Sequence, residues 1–272
     1  MSLSNGTRRV ALAEKRRLAS MLEIQQLSKS FGGVKAADDI SLSFADGSLS
    51  AVIGPNGAGK STFFNLITGA LRPDRGRILL NNIDLAGRSP PDIVRHGIGR
   101  AFQVARIFPS LTVHETMLAA VGADQRRASL LHRRFPLAET RERAEHAMEV
   151  LGLVGKRDQI AATLSHGDQK LLDIALAMVL DPKVLLLDEP TAGMGTEERW
   201  RMIDKVYELW QRQKITVVFI EHDMDIVFKI APEIVVLCYG RILATGTPDA
   251  IRSNPEVIKA YLGTEQHAET AR

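Results

Sequence analysis

Residues 54–61 read Gly54-Pro55-Asn56-Gly57-Ala58-Gly59-Lys60-Ser61, with Thr62 next. Glycines at this spacing let successive backbone N–H groups converge on phosphate oxygens. A helix opening near Lys60 would add its positive N-terminal end. In such a loop the lysine reaches the β- and γ-phosphates, and the Ser61 hydroxyl ligates Mg2+. A chance glycine-rich turn has the same composition. What separates the two is context: a strand before the loop and a helix after it. The apolar run Leu49–Ile53 supplies the strand, and the residues after Lys60 supply the helix. Nucleotide binding by residues 54–62 is the expectation.

A second apolar run, Lys183 to Leu187, ends in Asp188-Glu189. An aspartate at a strand end can position Mg2+, often through water. The glutamate after it can orient or deprotonate an attacking water. Alone, a strand ending in Asp-Glu is an ordinary solvated terminus. Behind a phosphate-binding loop, the pair reads as catalytic. A third run, Ile215 to Ile220, ends in Glu221-His222.

These three runs read as buried parallel strands with functional loops at their C-terminal ends. Leu22–Leu27, Ile40–Phe44 and Arg77–Leu80 read as a more antiparallel portion. Residues 112–162 are rich in Ala, Leu, Arg and Glu, and Ala144, Ala147, Met148 and Leu151 fall at helical spacing. The expected fold is α/β, with a P-loop ATPase core, an antiparallel β portion and an inserted helical subdomain.

The chain has 272 residues, 45% of them hydrophobic, enough for a substantial core. Its net charge of +3 is unevenly placed. Arg8, Arg9, Lys15, Arg16 and Arg17 against Glu14 give residues 1–20 a charge of +4, which leaves the rest at −1. A body without basic excess argues against nucleic acid as a partner. The tail suits an anionic surface or, more plainly, a solvated extension. The single cysteine, Cys238, excludes a disulfide framework within the chain and suits a reducing compartment. No apolar run approaches the ~18 residues of a membrane span. No apolar stretch follows the N-terminal charges as a secretory signal requires. A membrane role would come through a partner.

A phosphate loop fixes nucleotide binding, not function. The Asn-Lys-x-Asp base-reading motif of a GTPase is absent. Leu164-Ser165-His166-Gly167-Asp168-Gln169-Lys170 opens a helical run through Leu180, and Lys170 precedes Asp188 by 18 residues. Locally, Ser165 and Asp168 are also a respectable helix cap. The segment is similar to the Leu-Ser-Gly-Gly-Gln signature of ABC ATPases, and the resemblance runs from about residue 21 to residue 262.

That resemblance implies roles at matching positions. Phe31 would stack on adenine, a contact that suits any base. Gln103 would contact Mg2+ or the attacking water and link to the helical subdomain. His222 would touch the γ-phosphate. Ser165 and Gly167 would face the γ-phosphate held by a second subunit. Taken singly, Phe31 reads as core, Gln103 as a surface residue and His222 as a strand-end histidine. Catalytic roles then fall to Glu189, His222, Lys60 and Gln103, and metal contacts to Ser61, Gln103 and Asp188. ATP and Mg2+ are the implied cofactors.

The resemblance also implies a dimer of ATPase subunits, identical or not, docked on two transmembrane permeases and fed by a solute-binding protein. It places the chain in the cytoplasm, on the inner face of a bacterial membrane. The implied domains are a tail at 1–20, an ABC ATPase domain at 21–262 with a helical subdomain at about 104–180, and a second tail at 263–272. Ser-Phe-Gly-Gly-Val-Lys-Ala, Gly-Ile-Gly-Arg-Ala-Phe-Gln, Ile-Glu-His-Asp-Met and the late Ala-Tyr-Leu-Gly resemble the branched-chain amino acid uptake group. Leu-Ser-His-Gly and Ala-Gly-Met are also similar to its urea and short-amide relatives. Uptake of branched-chain or hydrophobic amino acids is the expectation. Import of urea, short amides or another small solute is the alternative. A non-transport ABC ATPase acting on nucleic acid is a further one, although a zinc hook, long coiled coil or second cassette is absent. A plain P-loop kinase would have no use for Ser165.

Two departures from the family pattern are visible. His166 and Asp168 replace a glycine and a glutamine of the signature. Gly195 stands where the family often has an aspartate that crosses the dimer interface. Asp168 would oppose a bound phosphate if it faced one, so it is expected to turn back and cap its helix.

Overall fold

The computed structural model describes residues 20–122 and 138–261. The basic tail at 1–20 and the tail at 263–272 therefore fall, save Ser20, outside the described residues. The chain divides into two compact units. One comprises residues up to Pro90 and from Ala231 onward, and the other runs from Pro91 to Ile230.

The first unit contains an antiparallel sheet in the order β2-β1-β4-β5. Its strands are β1 (Ser20–Phe31), β2 (Val34–Ala45), β4 (Arg75–Leu80) and β5 (Ile83–Asp84). Buried and exposed residues roughly alternate along β2, so one face packs and the other meets water. Leu22, Ile24, Leu27, Ile40, Phe44, Ile78 and Leu80 form the packed face. The same unit holds β3 (Leu49–Ile53), parallel to β9 (Glu233–Cys238), and β9 is antiparallel to β10 (Arg241–Gly246). All five residues of β3 are buried, which explains why its sequence is a continuous apolar run rather than an alternating one. Helix α1 (Lys60–Ile67) follows the loop after β3 and buries Phe63, Phe64, Leu66 and Ile67.

The second unit is built on three parallel strands, with β7 (Val184–Asp188) between β6 (Ile98–Ala101) and β8 (Thr216–Ile220). Every residue of β7 and β8 is buried. Helix α2 (Pro90–His96) leads into β6. The helical region contains α3 (Val113–Gly122), α4 (Ala138–Val150) and α5 (His166–Met178). On α4, Ala144, Ala147 and Met148 face inward, as their spacing predicts. Helix α6 (Thr196–Gln213) buries Met202, Ile203, Val206 and Leu209, and α7 (Met224–Ile230) follows β8. Helix α5 ends two residues earlier than the apolar run suggests, because Asp181, past its C-terminus, takes a left-handed backbone with φ of 56°.

Candidate active site

The phosphate loop belongs to the first unit. Gly54 has φ of 152°, and a Cβ there would lie 2.1 Å from the Leu237 carbonyl oxygen at the end of β9. Only glycine lets these two backbones meet so closely. Gly59 caps α1 in a left-handed conformation with φ of 101°, and its missing Cβ would fall 2.3 Å from the Ala36 carbonyl oxygen. No side chain caps α1, so its first N–H groups point into the loop as an anion site requires. Gly240 N donates to Ala58 O at 2.9 Å, which ties the loop to the β9–β10 turn.

Lys60 is 6% exposed. Its ammonium donates to the Gly54 carbonyl at 2.7 Å and the Pro55 carbonyl at 3.1 Å. The lysine is thus held inside its own loop, poised as a point charge. Phe31, at the end of β1, is 45% exposed, with the Lys29 ammonium 5.6 Å from its ring centre. An exposed ring at a strand end is free to stack on a planar base.

The carboxylates belong to the second unit. Glu189 follows β7 with φ of 48°, a costly conformation for a non-glycine residue. Its N–H donates to the Ile220 carbonyl at 3.1 Å, and the Lys170 ammonium reaches its carbonyl at 3.3 Å. The side chain is divided between two neighbours. Gln103 Nε2 donates to Oε2 at 2.6 Å, and His222 Nε2 lies 2.6 Å from Oε1. Gln103, Glu189 and His222 are therefore brought together. Asp188 is bound to a residue the motif reading overlooks: Arg100 Nη2 donates to Oδ2 at 2.5 Å.

Two buried charges on α5 hold this arrangement. Asp173 accepts from the N–H of Phe102 at 2.7 Å and of Arg106 at 2.9 Å, which pins the segment carrying Gln103. Burial pushes its carboxyl above the usual carboxylate range, against the pull of those N–H donors. Lys170 donates to the Phe102 carbonyl at 3.1 Å as well as to Glu189. Burial lowers its ammonium below the ordinary lysine value, opposed by Asp173, Asp188, Glu221 and Glu189. Glu221 accepts from Thr191 N at 3.0 Å and Thr191 Oγ1 at 2.7 Å, fixing the loop after Glu189.

Ser165 and Gly167 stand at the start of α5. Ser165 Oγ accepts from Asp168 N at 3.2 Å and donates to Asp168 Oδ2 at 2.6 Å. Asp168 also pairs with Lys156. It turns back on its own helix end, as the charge argument requires. His166 Nε2 lies 3.1 Å from the Ala192 carbonyl oxygen, so the first departure touches the loop that leads to Gly195.

Among the described residues no cluster of three or more His, Cys, Asp or Glu could hold an ion alone. Mg2+ does not need one, since it is bound through one or two carboxylates or hydroxyls with substrate phosphates and water. Ser61 and Asp188 carry oxygen donors of that kind, so the residues fit the ion.

The ABC transporter family model matches residues 37–192, and the branched-chain amino acid ATP-binding cassette transporter model matches residues 241–267. The chain is 39% identical over 249 residues to the high-affinity branched-chain amino acid transport ATP-binding protein LivG of Escherichia coli (strain K12), covering 89% of this chain and 98% of that protein. It is 38% identical, with the same coverage, to BraF of Pseudomonas aeruginosa, which carries the same description. Among solved structures it is similar to the ADP conformation of MJ1267, an ATP-binding cassette of an ABC transporter. There the TM-score is 0.78 and the identity 33%, over 90% of this chain and 99% of that one.

Proposed function

The chain belongs to the ABC transporter family as an ATP-binding cassette ATPase, and from that premise we propose that it powers uptake of branched-chain or other hydrophobic amino acids through separate permeases. The cargo reading is supported by the match over residues 241–267 and by the printed roles of LivG and BraF. The observation that carries the chemistry is the Glu189 carboxylate held at 2.6 Å by both Gln103 and His222.

In the proposed reaction, residues 54–62 wrap the ATP phosphates and Phe31 stacks on the base. Lys60 neutralises charge on the β- and γ-phosphates. Ser61 and Asp188, with Gln103, would hold Mg2+, which would neutralise charge at the phosphates. Glu189 accepts a proton from water as the water oxygen bonds to the γ-phosphorus. The bond to the β–γ bridging oxygen breaks, and ADP and phosphate result. His222 contacts the γ-phosphate, and Ser165 and Gly167 of a second subunit complete the cage by donating to its oxygens. A two-fold pair of subunits forms two such sites.

Residues 21–262 form the proposed ATPase domain, with the helical subdomain at about 104–180 carrying the surface for the permeases. No helix among the described residues is long and apolar enough to cross a membrane. On the family membership, the proposed place is the cytoplasmic face of the membrane, with two permeases and, indirectly, a solute-binding protein. Proteoliposomes holding the full complex test the cargo. Leucine with its binding protein should stimulate ATP hydrolysis, and stimulation by urea but not leucine would overturn the assignment.

A further inference from the structure

Arg199 has no part in the reaction above, yet it grips the residue next to His222. It lies in the first turn of α6, and its Nη1 donates to Asp223 Oδ2 at 2.8 Å. Both partners belong to the second unit. Asp223 uses its other oxygen to start α7, where Oδ1 accepts from Asp225 N at 3.1 Å and Ile226 N at 3.4 Å. A second contact joins the same two helices, with the Lys229 ammonium 4.3 Å from the Trp200 ring centre.

The residue before His222 is held as well. Glu221 is 4% exposed and accepts from Thr191 N and Oγ1, and its Oε2 accepts from the N–H of His222 at 3.2 Å. The exposed histidine is thus framed by two fixed neighbours. A turn held at one end can still swing its side chain, and the Arg199–Asp223 bond closes the other end. The helix that supplies this bond is itself anchored by buried Met202, Ile203, Val206 and Leu209. The paired side chains are 34% and 27% exposed, so the bond adds little to stability. Its consequence is positional, at a ring whose Nε2 stands 2.6 Å from Glu189 Oε1.

We propose that Arg199 is a positioning residue for ATP hydrolysis: through Asp223 it holds His222 against Glu189 and within reach of the γ-phosphate. The inference rests on the reading of His222 and Glu189 as reacting groups. The bond acts on the reacting end of the site and not on the grip around the nucleotide. Its loss should therefore lower turnover and leave ATP affinity alone.

The test uses the purified complex with Arg199→Gln, which removes the charge, and separately with Asp223→Asn, which keeps the α7 cap and replaces the acceptor facing Arg199. Each should lower kcat about threefold to tenfold, with KM and ATP Kd within about twofold of the parent. Melting midpoints should fall by no more than about 3 °C. Arg199→Lys should recover most of the lost turnover, because Asp223 takes one donor and not a two-pronged fork. Parent-like kcat in both variants would overturn the proposal, as would a loss that Arg199→Lys fails to recover. His222→Ala is measured beside them. If it turns over ATP like the parent, the reading of His222 itself fails. If it is impaired while Arg199→Gln and Asp223→Asn equal the parent, only the link fails. In single-turnover assays, adding Arg199→Gln to His222→Ala should cause no further fall, since the link acts through the histidine. A further fall there would contradict the proposal. Should Arg199→Gln fail to fold, Asp223→Asn alone and combined with His222→Ala decides on the same criteria.

Discussion

Arg100 Nη2 stands 2.5 Å from Oδ2 of Asp188, and both side chains are less than a tenth exposed. The two residues lie 88 positions apart in sequence and meet because β6 and β7 are parallel neighbours, with Arg100 in register with Leu186. Charges this deeply placed are tolerated only when paired. Arg100 therefore fixes the position of the carboxylate proposed to meet Mg2+.

Removing one partner of such a pair leaves an uncompensated buried charge. Arg100→Met should lower stability by about 3–5 kcal/mol in urea titrations. Arg100→Met with Asp188→Asn should recover a good part of that loss, because the stranded charge is gone. Strict additivity of the two single losses would show that the pair is not coupled.

Lys170 holds two backbone carbonyls, including that of the strained Glu189. Lys170→Met keeps most of the buried stem and removes the ammonium. The expected cost is about 1–3 kcal/mol from the unsatisfied carbonyls, read by chemical denaturation. ATP turnover should fall with it, since the Glu189 backbone loses an anchor. A variant with parent-like stability and turnover would remove Lys170 from the account.

How much of this was legible in the sequence depends on range. Leu49–Ile53 is the strand the apolar run announces, because a strand buried on both faces leaves an unbroken hydrophobic stretch. The phosphate loop was legible because glycine, lysine and serine must be contiguous to wrap one anion. Arg100, Lys170 and Asp173 were not, since each has a partner 67 to 88 residues away, and Lys170 a second one, the Glu189 carbonyl, 19 residues away. One signal was available. Lys170, Asp173, Ile174 and Ala177 share a helical stripe and are all buried. Two charges on an apolar stripe announce a buried, satisfied polar network. The division of the chain at residues 90 and 230 was also hidden, because it depends on which strands pair and not on any change of composition.

His166 and the Ala192–Gly195 loop are joined by a single 3.1 Å hydrogen bond on the surface. His166→Gly, which restores the family residue, should free that loop. The loss is small, about 0.5–1 kcal/mol, and should appear as amide exchange about twofold to fivefold faster at Gly193 to Gly195. Unchanged exchange there would mean that Glu221, through Thr191, holds the loop alone.

Asp168 pairs with Lys156 and bonds Ser165. Asp168→Ala should cost about 1 kcal/mol through the weakened start of α5, and Lys156→Ala less, as befits a half-exposed ion pair. If Asp168→Ala instead raised ATP affinity with no loss of stability, the carboxylate would face the nucleotide and the capping account would be wrong.

The central claim is that Glu189 takes the proton of the attacking water. Glu189→Gln keeps the shape and can still bond Gln103 and His222, but it cannot accept that proton. Steady-state ATP turnover of the purified complex, with ATP binding measured on the same sample, is the direct test. The account predicts ATP affinity within about twofold of the parent and turnover reduced by about 10²–10⁴. Turnover at the parent's rate would contradict it.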